Sequence, residues 1–185
     1  AFVLVENTEN AASSRRKDKN SRAKAENTGS SLPQVGDKAP AIDLISNKGG
    51  KITTASLKGR PAVLYFYPKD DTPGCTVEAK GFRDMAADFD KAGALVLGVS
   101  PDTVESHCKF AGKFDLNFHL LADTAHAVAE RYGVWVEKSM YGKTYMGVQR
   151  ATFLIDAAGK IAAVWPKVKP EGHAEEVLAA VKALG

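Results

Sequence analysis

Cysteine is scarce in this chain of 185 residues: there are two, Cys75 and Cys108. Two cannot build a disulfide framework, and their spacing does not suggest a zinc site. Histidine is scarce as well. The four (His107, His119, His126 and His173) include no pair at ligand spacing, so no metal is expected. No apolar run approaches the roughly 20 residues of a membrane span. The formal net charge is only +3, too small to imply a polyanionic partner. Neither a membrane nor a nucleic acid is therefore expected as a partner. There are no internal repeats. What is present, 44% hydrophobic and 25% charged residues, suffices for one domain with a real core.

Residues 1–31 stand apart. Only Phe2 to Val5 are continuously apolar, too few for a signal-peptide core. From Ala11 to Ser31 there is no periodicity and almost no large apolar side chain, so burial cannot offset the ordering entropy. The stretch reads as a disordered or added tail. Its basic cluster (Arg15, Arg16, Lys17, Lys19, Arg22, Lys24) leaves a targeting remnant or a nucleic-acid-binding arm as the alternative. No aromatic interleaves those charges, which disfavours the arm.

A domain over residues 32–185 follows. "APAIDLISNKGGKITTASLKG" reads as two short strands around a turn, an N-terminal β-hairpin. "PAVLYFYP" is apolar at both parities, as a strand covered on both faces is. Residues 75–92 carry helical spacing at Val77, Phe82, Met85, Ala86 and Phe89, with Gly93 as the stop. "ALVLGVS" (94–100) is a second apolar strand. Asp102-x-x-Glu105 has the pattern of a capping box opening a helix to about Phe114. A strand at 118–121 and a helix at 125–132 come next. Strands at 150–156 and 160–166 flank a turn, and "HAEEVLAAVKAL" closes the chain as a helix. This order is α/β, with a central mixed sheet flanked by helices, and it resembles a thioredoxin-like fold. Sites in such sheets form outside the carboxyl ends of the strands, where "YPKDDTPGC" lies.

That stretch has the form of a helix start. Thr72 suits the N-cap, Pro73 suits the first helical position, and Cys75 falls at the third. Free backbone N–H groups and the helix dipole there favour a thiolate over a thiol. Three residues after Cys75 stands Glu78, not a second cysteine, so C-x-x-C disulfide chemistry is disfavoured. No local signature supplies the histidine base of a cysteine hydrolase.

"Pro68-Lys-Asp-Asp-Thr72-Pro-Gly-Cys75" resembles the P-x-x-x-T-x-x-C signature of peroxiredoxins. "VLYFYPKDDTPGCTVEAKGFRD", "SPDTVESHCKFAGKF" and "YGVWVEKSMYGKTYMGVQRATFLID" are similar to the bacterioferritin-comigratory-protein, or peroxiredoxin Q, branch. The resemblance implies a thiol peroxidase with Cys75 as the peroxidatic cysteine. It implies that the Thr72 hydroxyl contacts thiolate and peroxide, that Pro68 shields the pocket from water, and that Arg150 holds the reacting atoms. A fixed guanidinium suits the negative charge that peroxide cleavage develops. Asp70 and Asp71 read as solvated turn residues. Glu78 is left outside the site, as an orienter of Arg150 or a surface pair with Lys80 or Arg83. Trp135, Tyr141 and Tyr145 are either a substrate rim or packing.

The branch often has a resolving cysteine five residues after the peroxidatic one, and here that position is Lys80. Cys108 is the other thiol, at the edge of the stripe Val104, His107, Phe110, Ala111 and Phe114. The resemblance thus implies reduction of hydrogen peroxide and organic hydroperoxides through a Cys75 sulfenic acid. Cys108 then resolves it as an intramolecular disulfide, and thioredoxin or a similar dithiol recycles it. The two sulfurs are expected out of bonding range before reaction. No metal, haem or flavin is implied. Alternatives are a one-cysteine peroxidase resolved by an external thiol, and a redox-sensing binding module. A cytoplasmic monomer is expected, with a dimer left open.

Overall fold

The computed structural model describes residues 32–184, and the readings of residues 1–31 lie outside them. Among the described residues, nine strands and five α-helices follow one another: β1 (Asp43–Ser46), β2 (Lys51–Thr53), β3 (Ala62–Phe66), α1 (Pro73–Asp84), α2 (Ala86–Lys91), β4 (Leu95–Ser100), α3 (Val104–Phe114), β5 (His119–Ala122), α4 (Ala127–Arg131), β6 (Trp135–Met140), β7 (Lys143–Val148), β8 (Ala151–Ile155), β9 (Ile161–Trp165) and α5 (His173–Leu184).

The apolar runs dictate the layering. All five residues of β3 are buried. Val63 and Tyr65 enter one cluster with Phe82, Phe89, Phe110 and Val177. Leu64 and Phe66 enter another with Val128, Tyr132 and Phe153. Successive side chains point to opposite faces of a strand, so a run apolar at both parities needs a core on each side. α1, α2, α3 and α5 contribute to the first cluster and α4 to the second.

Seven strands form one mixed sheet in the order β2-β1-β5-β4-β3-β8-β9. β3, β4 and β5 are parallel, while β8 runs antiparallel to β3. The β3–β8 register pairs Phe66 with Ala151, so β8 begins where β3 ends. The expected N-terminal hairpin is present as β1 and β2.

Three local expectations need correction. The helix expected over 75–92 is two helices, broken at Met85 (φ −101°, ψ 8°). Val77 leaves the apolar stripe and is exposed, whereas the buried face of α1 is Cys75, Glu78, Ala79 and Phe82. These stand at i, i+3, i+4 and i+7, one helical face. Val77 lies about 200° around the helix from Cys75, so its apolarity misled. Second, the cap of α3 is Thr103, whose side chain accepts from the Ser106 N–H, and not Asp102. Third, β6 and β7 form a separate two-stranded sheet that the pattern reading left unassigned. Its turn is Tyr141-Gly142, both with positive φ (54° and 77°), as a two-residue hairpin loop of the primed type requires.

Candidate active site

β3 delivers its carboxyl end to the loop 67–72, and α1 begins just after. Pro68 is half-buried in that loop, and Asp71 takes a left-handed conformation (φ 57°) that turns the chain into the helix. Thr72 occupies the N-cap position in extended geometry, but its hydroxyl does not cap. It donates instead to the Lys69 carbonyl at 2.9 Å, which closes the loop and leaves the oxygen lone pairs free to accept. Pro73 opens the helix and Cys75 is its third residue, as the sequence predicts.

Cys75 is 1% exposed. Arg150, between β7 and β8, reaches it from a distant part of the chain: Nη2 donates to Cys75 Sγ at 3.2 Å. The register of β8 on β3 brings Arg150 to this end of the sheet. The contact sets a fixed positive charge directly against the sulfur. Gly74 makes room for it. A Cβ there would stand 3.2 Å from Arg150 Nη2 and 3.5 Å from Pro170 Cγ.

Glu78 belongs to the site, although sequence reasoning left it out. Its side chain is fully buried, and Oε1 accepts from Arg150 Nη1 at 2.7 Å. The guanidinium is thus fixed between a carboxylate and a sulfur one helical turn apart. The available signal was the i, i+3 spacing of Cys75 and Glu78. Burial pushes the Glu78 carboxyl up to about 7, against the pull of Arg150. Its Oε2 and the buried Tyr65 hydroxyl have no partner among the described residues.

The β6–β7 hairpin supplies a further cation. Burial, and then Arg150, push the half-buried Lys138 ammonium down, while Cys75 pulls the other way. The stem of Lys138 lies over Gly147, 3.3 Å from where a Cβ would be. Tyr145 shares that face, paired with Lys138. Trp135 is on the other face, stacked on His126 at 4.0 Å, and Tyr141 is 97% exposed. Of the three aromatic rim candidates, only Tyr145 lies on the side of Lys138.

Cys108 is not brought to Cys75. It is an exposed free thiol on α3, with Sγ 3.5 Å from the Asn47 carbonyl oxygen in the β1–β2 turn. A cleft of about 390 Å³ between the active-site loop and α3 is lined from the helix by Glu105, Ser106, Lys109, Phe110 and Lys113, but not by Cys108. Asp70 also departs from expectation: it is 8% exposed and not a solvated turn residue. Asp70, Asp102 and His107 offer ligand atoms within 4.8 Å of one another. Those atoms are engaged in hydrogen bonds within the chain.

The AhpC/TSA family model matches residues 35–164. A Coxiella burnetii protein that carries the peroxiredoxin bcp name is 52% identical over 145 residues, 78% of this chain and 96% of that protein. Peroxiredoxin Bcp of Bacillus subtilis is 46% identical over 80% of this chain and 95% of its own length. Among solved structures, Xanthomonas campestris peroxiredoxin Q aligns with a TM-score of 0.75 at 42% identity, over 83% of this chain and 97% of that one. These neighbours give the sheet and its helices the thioredoxin-like fold. The chain belongs to the AhpC/TSA family, in the Bcp or peroxiredoxin Q branch of the peroxiredoxins, and is a thiol-dependent peroxidase.

Proposed function

We propose that Cys75 is the peroxidatic cysteine and that Arg150, Thr72 and Pro68 complete its site. The observation that carries this reading is the 3.2 Å contact of Arg150 Nη2 with the buried Cys75 sulfur, with Glu78 holding the same guanidinium at 2.7 Å. The thiolate attacks the terminal oxygen of the hydroperoxide, and the O–O bond breaks. The leaving oxygen departs as hydroxide or alkoxide and takes a proton from solvent, leaving Cys75 as a sulfenic acid. Arg150 and the first-turn N–H groups stabilise the charge that develops on the leaving oxygen. The Thr72 hydroxyl, tethered to Lys69, accepts from the peroxide, and Pro68 keeps water from the mouth.

Hydrogen peroxide and organic hydroperoxides are the proposed substrates. A solved structure of the Xanthomonas campestris bacterioferritin comigratory protein, 41% identical, concerns alkyl peroxide reduction, which supports the organic class. Cys108 resolves the sulfenic acid as an intramolecular disulfide, and thioredoxin or a similar dithiol reduces it by exchange. Action as a monomer is part of this reading, with a dimer as the alternative. Among the described residues no helix is long and apolar enough to cross a membrane, which accords with a cytoplasmic site of action.

The test is Cys75→Ser. It should abolish turnover with a dithiol reductant while the fold persists by circular dichroism. Residual activity above a few per cent of the parent refutes the assignment. A second reading is favoured by the direction of Cys108, which faces Asn47: an external thiol attacks the sulfenic acid and Cys108 is a spectator. Peptide mapping after one equivalent of peroxide separates the two. A Cys75–Cys108 disulfide supports resolution within the chain. A stable Cys75 sulfenic acid beside a free Cys108 supports the external thiol.

A further inference from the structure

We propose that Asp70 is a positioning residue that latches α3 to the active-site loop, and that this latch sets how fast Cys108 reaches the Cys75 sulfenic acid. The inference rests on Cys108 as the resolving thiol.

The latch is a buried polar knot. Asp70 Oδ1 accepts from the Tyr67 hydroxyl at 2.6 Å. Its Oδ2 accepts from the Ser106 hydroxyl at 2.8 Å and meets His107 Nδ1 at 2.7 Å. His107 is fully buried, and its Nε2 lies 3.0 Å from the Leu121 carbonyl oxygen. A carbonyl only accepts, so Nε2 carries a proton and donates. The Asp70 backbone N–H donates to Asp102 Oδ2 at 2.8 Å, which also accepts from the Ser100 hydroxyl at 2.6 Å. The end of β3, the active-site loop and the first turn of α3 are thereby joined through one side chain. Outside the knot, Lys113 pairs with Asp71 at 2.8 Å. That pair is exposed and adds little.

Ser106 and His107 directly precede Cys108. Residues 108 and 110 lie about 200° apart around a helix, and Phe110 lines the cleft beside the loop. The Cys108 thiol therefore points away from Cys75. A disulfide needs the sulfurs about 2.05 Å apart. Bringing Cys108 to that distance requires the first turn of α3 to unwind or swing, and Ser106 and His107 then lose Asp70. The loop end of the latch is coupled as well, because Asp70 stands two residues before Thr72 and five before Cys75. Opening the start of α1 loosens α3, and opening α3 loosens the start of α1. Once both have opened, the Cys75 sulfenic acid and the Cys108 thiol condense, forming the S–S bond and releasing water. Until then the sulfenic acid remains available to a second peroxide, which oxidises it to the sulfinic acid.

Asp70→Asn tests the latch. An amide oxygen still accepts from Tyr67, but the NH₂ group can only donate, so the bonds to Ser106 and His107 made by a carboxylate become at most neutral ones with the hydroxyl oxygen and the ring as acceptors. Stopped-flow and rapid-quench mass spectrometry would follow the Cys75 sulfenic acid and the disulfide separately. The disulfide step should accelerate on the order of tenfold, the scale of a hydrogen bond to a charged group exchanged for a neutral one. Peroxide consumption by Cys75 should stay within about twofold, and sulfinic acid at excess peroxide should fall. Ser106→Ala removes one strand of the knot and leaves the Asp70–His107 pair, so it serves if Asp70→Asn does not fold. It should accelerate the same step by a smaller factor. If the parent forms the disulfide and Ser106→Ala, or a folded Asp70→Asn, forms it no faster, the latch is overturned while Cys108 remains the resolver. If the parent forms no Cys75–Cys108 disulfide, the resolver reading fails and the latch fails with it.

Discussion

Glu78→Gln should make the protein more stable than the parent at alkaline pH, and less active there. The carboxyl of Glu78 is fully buried, and burial raises it from an ordinary 4.5 to about 7 in spite of Arg150. Between those two values the folded state holds a proton that the unfolded state has released. Stability therefore falls as pH rises through this window. At 1.36 kcal/mol per pH unit, the full loss is about 3 kcal/mol. Most of it, about 2 kcal/mol, falls between pH 5 and pH 8. Glutamine has the same shape and no titration, so it removes this slope while keeping an acceptor for Arg150. Urea denaturation of reduced parent and variant across that range is the assay. The parent should lose about 2 kcal/mol relative to the variant on going from pH 5 to pH 8, roughly 1 M in urea midpoint. Above about pH 7 the variant should also react more slowly with peroxide, because a neutral amide holds the guanidinium less firmly than a carboxylate. Parallel stability curves for the two proteins would refute the account of Glu78 as a carboxyl buried at energetic cost.

Arg150→Lys should lower the rate of peroxide reaction by ~10²–10³, since a point charge cannot hold the sulfur and Glu78 together. Near-parent kinetics in a competition assay would remove Arg150 from the chemistry. Gly74→Ala places a Cβ 3.2 Å from Arg150 Nη2, so it should slow the peroxide reaction with the circular dichroism spectrum unchanged. An unaffected rate would mean that the guanidinium is not held where it acts. Gly81→Ala meets only Ala174 Cβ, at 3.4 Å. It should strengthen α1 by up to ~1 kcal/mol and slow disulfide formation by up to about fivefold. A faster disulfide would show that α1 does not open on the route to resolution.

Much of the fold was legible because burial leaves a residue-type signature. "PAVLYFYP" and "ALVLGVS" are apolar at both parities, and both are central parallel strands. Thr72-Pro73 marked a helix start, and the helix begins there. The β6–β7 hairpin was not legible, because its exposed strands lack an apolar alternation and its turn uses Tyr141 where a left-handed residue is usually Asn or Gly. Glu78 and Asp70 were misjudged for one shared reason. A carboxylate is normally solvated, and only tertiary partners, Arg150 for one and Tyr67, Ser106 and His107 for the other, allow its burial. Cys108 was correctly put at the edge of a helix face. Which neighbour that edge meets depends on how α3 lies on the sheet, and helical periodicity does not contain that information.

The antiparallel pairing of β8 with β3 makes the active site a record of chain assembly. Cys75 and Arg150 are 75 residues apart in sequence, and the Phe66–Ala151 register brings them together. Slipping that register by one residue would turn every β8 side chain to the opposite face and carry Arg150 off its mark. Local helix formation around Cys75 cannot substitute, because it leaves the thiolate without its guanidinium. On refolding from denaturant, helical signal should therefore return before peroxidase activity does. Regained turnover would report the long-range closure of β3 on β8, a step whose loop-closure entropy makes it slow relative to local structure. The enzyme in this sense carries its own folding indicator, silent until the two distant strands have found the right partners.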